Sequence, residues 1–301
     1  MYKPKNKKTL AAEPVIASVG DEDFQLEHIN KLVDLPSSKK GLLQVLRLMQ
    51  DKRDWDNLPL FLSGLHRAEL RLSHPTPYTI LARAAGAGRL DVVLECARRV
   101  SETGFALKDP GLVSNLVLKI QSNALTSDWE AKETKKALSW VEMVSVMLED
   151  ERHGWGGAVT KQDDPRASPV LLGTLLELSA VRAARHLDGK DEDGKVAEYA
   201  GKLLSVPLAP ELADKSPDND QALHHANRWL YSVVPIVHGM KVALTVLDPT
   251  SQVAKSLQEK GSELEKLASQ EKEFIVNSTA ENGFRGTGLE IYEKLLSEGT
   301  A

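Results

Sequence analysis

The side chains that could do chemistry are few, and their spacing does not suit catalysis. His224 and His225 are adjacent, but neighbours on a helix diverge by about 100°, so they are poor joint ligands for a metal ion. Asp188, Asp191, Glu192 and Asp193 surround Gly189 and Gly194 in a run that superficially resembles a calcium loop. It lacks the alternating oxygen ligands and the terminal bidentate glutamate of such a loop, and a solvated turn is expected. Gly283, Gly286 and Gly288 precede a helical stretch and could offer amides to an anion, but no strand comes before them, so a plain loop is expected. Cys96 lies in an apolar helical row and reads as a small buried side chain; a single cysteine also excludes an internal disulfide and points to a reducing compartment. There is no nucleophile elbow, Walker loop or zincin helix. The protein therefore reads as a non-enzyme with no catalytic residue, no metal and no cofactor.

Charge recognition is the remaining chemistry. Arg47 and Arg83 fall at nearly corresponding places on two predicted helices, and Arg53 and Arg89 flank the turns that follow. If those helices stack, the guanidinium groups line one rim, and the planar fork of arginine suits a phosphate. The competing expectation is that these arginines solvate the outside and pair with Asp51, Asp54 or Asp91. Overall charge sets a limit: 38 basic against 43 acidic residues give −5, so the whole molecule is no electrostatic trap for nucleic acid or an anionic membrane. No DNA partner and no long free RNA track are expected. The balance is uneven, with 11 basic and 8 acidic residues in 40–109 but 6 and 9 in 250–301.

The elements that would position these groups are legible from a repeat. Leu43, Val45, Leu46, Asp54, Trp55, Asp56, Leu58 and Leu62 are answered 35 residues later by Tyr78, Ile80, Leu81, Arg89, Leu90, Asp91, Val93 and Ala97. A period of that size predicts stacked helical hairpins, each too small to bury its own apolar face. Helices are predicted from Leu42 to about Asp51, from Asp54 to Leu72 with Pro59 in the first turn, and from Tyr78 to a Gly86–Gly88 turn. The next runs on to a left-handed cap at Gly104. Looser hairpins follow at 112–148, with Trp129 opening the second helix, and at 170–204, separated by a loop around His153–Gly157.

The Gly88-Arg89-Leu90 turn between two helices, the 35-residue unit and the closing Gly104 resemble the pentatricopeptide-repeat family, well over 76–109 and fairly over 40–74. The resemblance implies an all-α, right-handed superhelical stack (an α-solenoid) of about four or five degenerate hairpins with a helical C-terminal segment. In that family side chains on each repeat read one base; aligned through the turn, the reading positions of the second repeat fall on Thr79 and Asp109, a combination resembling a guanine reader, while the first repeat would offer Gln44 and His74. Degenerate proteins of this kind are frequent accessory subunits of mitochondrial ribosomes, including those of fungi. The resemblance thus implies a non-catalytic scaffold in the mitochondrial matrix, partnered by neighbouring proteins of a large assembly and by ribosomal RNA. The alternatives are a soluble organellar RNA-binding factor for transcript maturation or translation, and a cytoplasmic location.

Around the repeats, residues 1–20 are expected as an extended basic arm and 21–206 as the helical-repeat domain, opened by a helix over Asp21–Leu35. Residues 207–220, with three prolines, read as a linker or long loop, and 221–301 as a helical C-terminal segment broken near Pro235. No run approaches the roughly 18 to 20 apolar residues of a membrane span.

Overall fold

The computed structural model describes residues 4–28, 38–159, 163–208, 220–278 and 286–297. It is predominantly helical, as expected, and one apolar core runs from Leu42 to Leu295.

The N-terminal region departs from expectation. Pro4–Ala12 forms a helix, α1, where an extended arm was predicted; proline suits a first helical position and Lys5–Ala12 is rich in good helix formers. In place of the helix expected from Asp21, β1 (Val15–Val19) and β2 (Glu22–Leu26) form an antiparallel hairpin, with Val15 opposite Leu26 and Val19 opposite Glu22. The helical spacing of Phe24 and Leu26 was outweighed by the β-branched run Val15-Ile16 and Val19, followed by a two-residue Gly20-Asp21 turn. Gly20 takes φ +64° there. Ile29, Leu32 and Val33, which also carried the helix expectation, lie outside the described residues.

Residues 38–104 follow the predicted order of helices. Helix α2 (Ser38–Leu48) leads to a short α3 (Lys52–Asp56), whose start is fixed by Asp54: its Oδ2 accepts from the amides of Gln50 at 3.0 Å and Asp51 at 2.9 Å. Helix α4 (Leu58–Arg67) holds Pro59 in its first turn and ends earlier than predicted. Helix α5 (Pro75–Gly86), a left-handed Gly88 and α6 (Leu90–Arg98) form the second hairpin. A break at Arg99 precedes α7 (Val100–Thr103), closed by the left-handed Gly104 as expected. The side chain of Asp109 caps α8 (Pro110–Thr126), which pairs with α9 (Ala131–Leu148). Trp129 belongs to the turn, not to the second helix. It is buried, with φ +60°.

The expected loop after α9 is a buried clip. His153 Nδ1 accepts from the amide of Leu107 at 3.0 Å, and Trp155 Nε1 donates to the Leu107 carbonyl at 2.8 Å. Together they satisfy both backbone polar groups of a residue sealed in the core.

Helices α10 (Pro169–His186) and α11 (Lys195–Leu204) form the next hairpin, and α10 packs along α12 (Asp220–Val246). Two glycines permit that approach: a Cβ on Gly239 would lie 2.8 Å from Glu177 Cα, and one on Gly173 would lie 2.6 Å from Ile236 Cγ1. Helix α12 is continuous through Pro235, without the predicted interruption. Its stretch Gln221–Val246 is also long and apolar enough to cross a membrane, contrary to the sequence reading. A count of unbroken apolar residues misses it, because polar side chains such as His224, Asn227 and Arg228 interrupt the first turns. Most of the stretch is buried in the protein, with α10, α13 (Gln252–Ser278) and α14 (Thr287–Tyr292) packed against the helix. Residues Glu293–Ser297 extend α14 as a π-helical turn, completing the predicted amphipathic end.

Candidate RNA and partner interface

The four arginines separate into two kinds. Arg89 is buried, and its guanidinium is committed inside the protein: it donates to Asp91 Oδ2 at 2.9 Å, to Asp56 Oδ1 at 2.6 Å and to the Lys52 carbonyl at 2.6 Å. Asp56 and Asp91 are equivalents in the 35-residue repeat, so one guanidinium clasps the same position of two successive hairpins. Burial would raise the Asp91 carboxyl, but Arg89 outweighs it and holds the group below the usual carboxylate range. Pairing with Asp91 is what the competing expectation described; Asp56 was not foreseen. A rim of four free guanidinium groups therefore loses this member.

Arg47 in the last turn of α2, Arg53 on α3 and Arg83 on α5 are exposed, and none pairs with a carboxylate among the described residues. They are free to meet a phosphate.

Thr79 and Asp109, the aligned base-reading pair, are engaged by the protein's own groups. Thr79 Oγ1 donates to the Pro75 carbonyl one turn back at 3.0 Å. Asp109 Oδ1 accepts from the Gly111 amide at 2.9 Å, and its Oδ2 lies 2.9 Å from His74 Nε2. Partial burial opposes ionisation of Asp109, yet the Tyr78 hydroxyl, the first amides of α8 and His74 together hold it below the ordinary range. The same burial, reinforced by Asp109, pushes the Tyr78 phenol up to about 12. The structure thus joins His74 to Asp109, aligned mates of successive repeats.

Beside Asp109 a cleft of about 660 Å³ has Leu62, Leu70 and Leu112 among its apolar walls and Arg71, Lys108 and Arg152 among its basic ones. Arg152 is already paired with Asp150. This arrangement can receive an apolar side chain with a carboxylate near it.

The other sequence candidates serve the fold. Asp191 accepts from the amides of Val196 and Ala197, each at 3.0 Å, at the start of α11, and Asp193 pairs with Arg182 at 3.1 Å. Cys96 is fully buried, and burial pushes its thiol up to about 12. His224 and His225 are exposed on α12.

At the start of α14 the amides of Gly288 and Leu289 are occupied: Asn227 Oδ1 accepts from them at 2.9 Å and 3.2 Å. Gly283 lies outside the described residues. A neutral amide oxygen thus takes the place read for an anion, and a missing side chain makes the seat fit, since a Cβ on Gly288 would stand 2.0 Å from the Asn227 carbonyl oxygen. Gly288→Ala is therefore expected to lower stability by about 1 to 3 kcal/mol, read as a lower urea midpoint at unchanged slope. An unaltered midpoint would mean that α14 does not seat against α12 there.

The fold and the site define a largely helical chain in which Asp54, Asp109 and Asp191 serve helix ends and Arg47, Arg53 and Arg83 are exposed. Comparison with known proteins places it further. The family model described as mitochondrial ribosomal protein mS27 (Mrp13) matches residues 1–294. The small ribosomal subunit protein mS27 of Neurospora crassa is 30% identical over 271 residues, covering 85% of this chain and 68% of that one. The chain belongs to the mitochondrial ribosomal protein mS27 family; it is a non-catalytic ribosomal protein of the mitochondrion. The expectations of a ribosomal scaffold and of a mitochondrial location hold on that ground.

Proposed function

We propose that the protein is a scaffold of the small subunit of the mitochondrial ribosome, with its hairpins stacked as degenerate pentatricopeptide-like repeats in a right-handed solenoid. In this reading the repeat domain, expected over 21–206, begins at α2 after the N-terminal hairpin, and 221–301 form a helical C-terminal segment. Arg47, Arg53 and Arg83 contact ribosomal RNA through phosphates, and a neighbouring protein occupies the apolar cleft beside Asp109. The observation that carries the reading is that these three arginines are exposed without a carboxylate partner among the described residues, in a chain of net charge −5. Arg89 has no part in the contact, and DNA has no place in it.

The test is sedimentation of the tagged protein from mitochondrial extract. The wild type should travel with small-subunit particles; a protein that stays at the top of the gradient would end the reading. The triple Arg47→Gln, Arg53→Gln, Arg83→Gln variant should keep its helical spectrum and leave the particle at lower salt, because each lost phosphate contact removes roughly 0.7 to 0.9 from the salt slope. Release at the wild-type salt concentration would move the RNA contact away from these residues.

A further inference from the structure

A second groove, of about 620 Å³, lies between α8 and α12, with Thr287 of α14 also on its wall. Its chemistry differs from that of the cleft beside Asp109. Helix α8 contributes Asn115 and Lys119, one turn apart, and α12 contributes His225, Arg228 and Tyr231 over its second and third turns. No carboxylate and no aliphatic side chain lines it among the described residues. Neither Lys119 nor Arg228 is paired with a carboxylate among those residues, and Arg228 is exposed. Asn227, held through its Oδ1 by α14, keeps the two donors of its Nδ2.

The walls are thus polar throughout, with two cations, Lys119 and Arg228, no opposing carboxylate among the described residues and one phenol ring, in a protein that is acidic overall. A phosphodiester offers only acceptor oxygens and a negative charge, so it is satisfied by such a lining. A protein partner would seek a buried apolar or aromatic anchor in a desolvated pocket, and here there is no aliphatic wall to receive one. Tyr231 adds a face on which a base or ribose can rest, as in other single-strand sites.

From this we infer that the α8–α12 groove is a second RNA contact, one that grips the phosphodiester backbone of an RNA strand through Lys119 and Arg228. The inference builds on the ribosomal reading above and adds a site on a different part of the molecule from Arg47, Arg53 and Arg83.

The full-length protein is titrated with a short uridine oligomer, and separately with an RNA duplex, across a salt series. For the single strand, Lys119→Gln/Arg228→Gln should lower the slope of log affinity against log salt by about 1.4, since each neutralised phosphate contributes about 0.7. If the two lines converge near 1 M salt, that difference is a loss of roughly 60-fold at about 50 mM. Lys119→Arg/Arg228→Lys should retain the wild-type slope. Tyr231→Leu should weaken the oligomer more than the duplex, since only unpaired bases can pack on the ring. An unchanged slope in the neutral variant overturns the proposal, as does an equal loss in the charge-preserving variant, which would mean the residues act through packing. Loss of particle association with an unchanged RNA slope overturns it too and assigns the groove to an acidic protein neighbour. Wild-type protein that binds the oligomer at this groove but does not sediment with ribosomal particles would fail the ribosomal placement alone.

Discussion

His238→Ala should cost about 3 to 5 kcal/mol at pH 8 and less at pH 4, measured by urea unfolding at each pH. His238 and Glu177 are both buried, and Nδ1 of the imidazole lies 2.7 Å from Glu177 Oε1. The indole of Trp129 stacks on the His238 ring with centroids 5.6 Å apart. Burial raises the Glu177 carboxyl above the ordinary glutamate range, and His238 partly offsets that rise. Removing the imidazole leaves only Gln121 to oppose the desolvation, so the folded protein holds the carboxyl proton more tightly still. The sign follows from linkage: a group whose folded value is raised stabilises fully below its unfolded value, near 4.5, and loses that stability as pH climbs toward the folded one. Within that window each pH unit costs up to about 1.4 kcal/mol. Below it, only the cavity and the lost hydrogen bond remain. A double Glu177→Leu/His238→Leu variant should recover much of the loss, since an apolar pair needs no partner. A loss of the same size at pH 4 and pH 8 would show that His238 is merely packing volume.

The parts of the fold that were legible in the sequence are those where a local rule and the tertiary packing agree. Gly104 announced a left-handed helix end, where a Cβ is strained, and Gly86–Gly88 a turn; Gly88 and Gly104 both take φ +67°. The hairpins on either side bury the apolar residues that the 35-residue period picked out, including Ile80, Leu81, Leu90, Val93 and Ala97. At the N-terminus two signals competed. The five-residue β1, the Gly20-Asp21 turn and β2 are too short for a period to decide between strand and helix, and the turn chemistry was the better guide.

The candidate interface was only half legible, for a different reason. Sequence can say that Arg89 is cationic and near a turn, but not that Asp56 from the preceding hairpin will close on it. That contact spans 33 residues and exists only once the hairpins stack. The α8–α12 groove was invisible on similar grounds, since Lys119 and Arg228 are more than a hundred residues apart in the chain. His224 and His225, read only as poor joint metal ligands, lie on its α12 wall. The Glu177–His238 pair gave no signal, because each residue is unremarkable within its own helix until α10 and α12 meet at Gly173 and Gly239.

Trp55→Ala should cost roughly 3 to 5 kcal/mol in unfolding free energy. Trp55 stands at the junction of α3 and α4, only 2% exposed, and its repeat equivalent Leu90 is fully buried at the start of α6. Each precedes an aspartate that Arg89 binds, so the buried ring stands next in the chain to one end of that clasp. Truncation leaves a cavity that the neighbouring helices cannot close without moving the Asp56 end of that clasp. Trp55→Phe separates shape from hydrogen bonding. The buried indole N–H has no partner among the described residues, so removing it relieves an unsatisfied donor, and the remaining loss of volume should cost less than about 2 kcal/mol. Chemical denaturation of both variants, with the helical signal and tryptophan emission followed together, checks the pair of values. A cost below about 1 kcal/mol for the alanine variant would mean that Trp55 is not a junction residue and that the 35-residue correspondence misplaces it. A phenylalanine variant as unstable as the alanine one would shift the explanation from packing volume to a specific role for the indole.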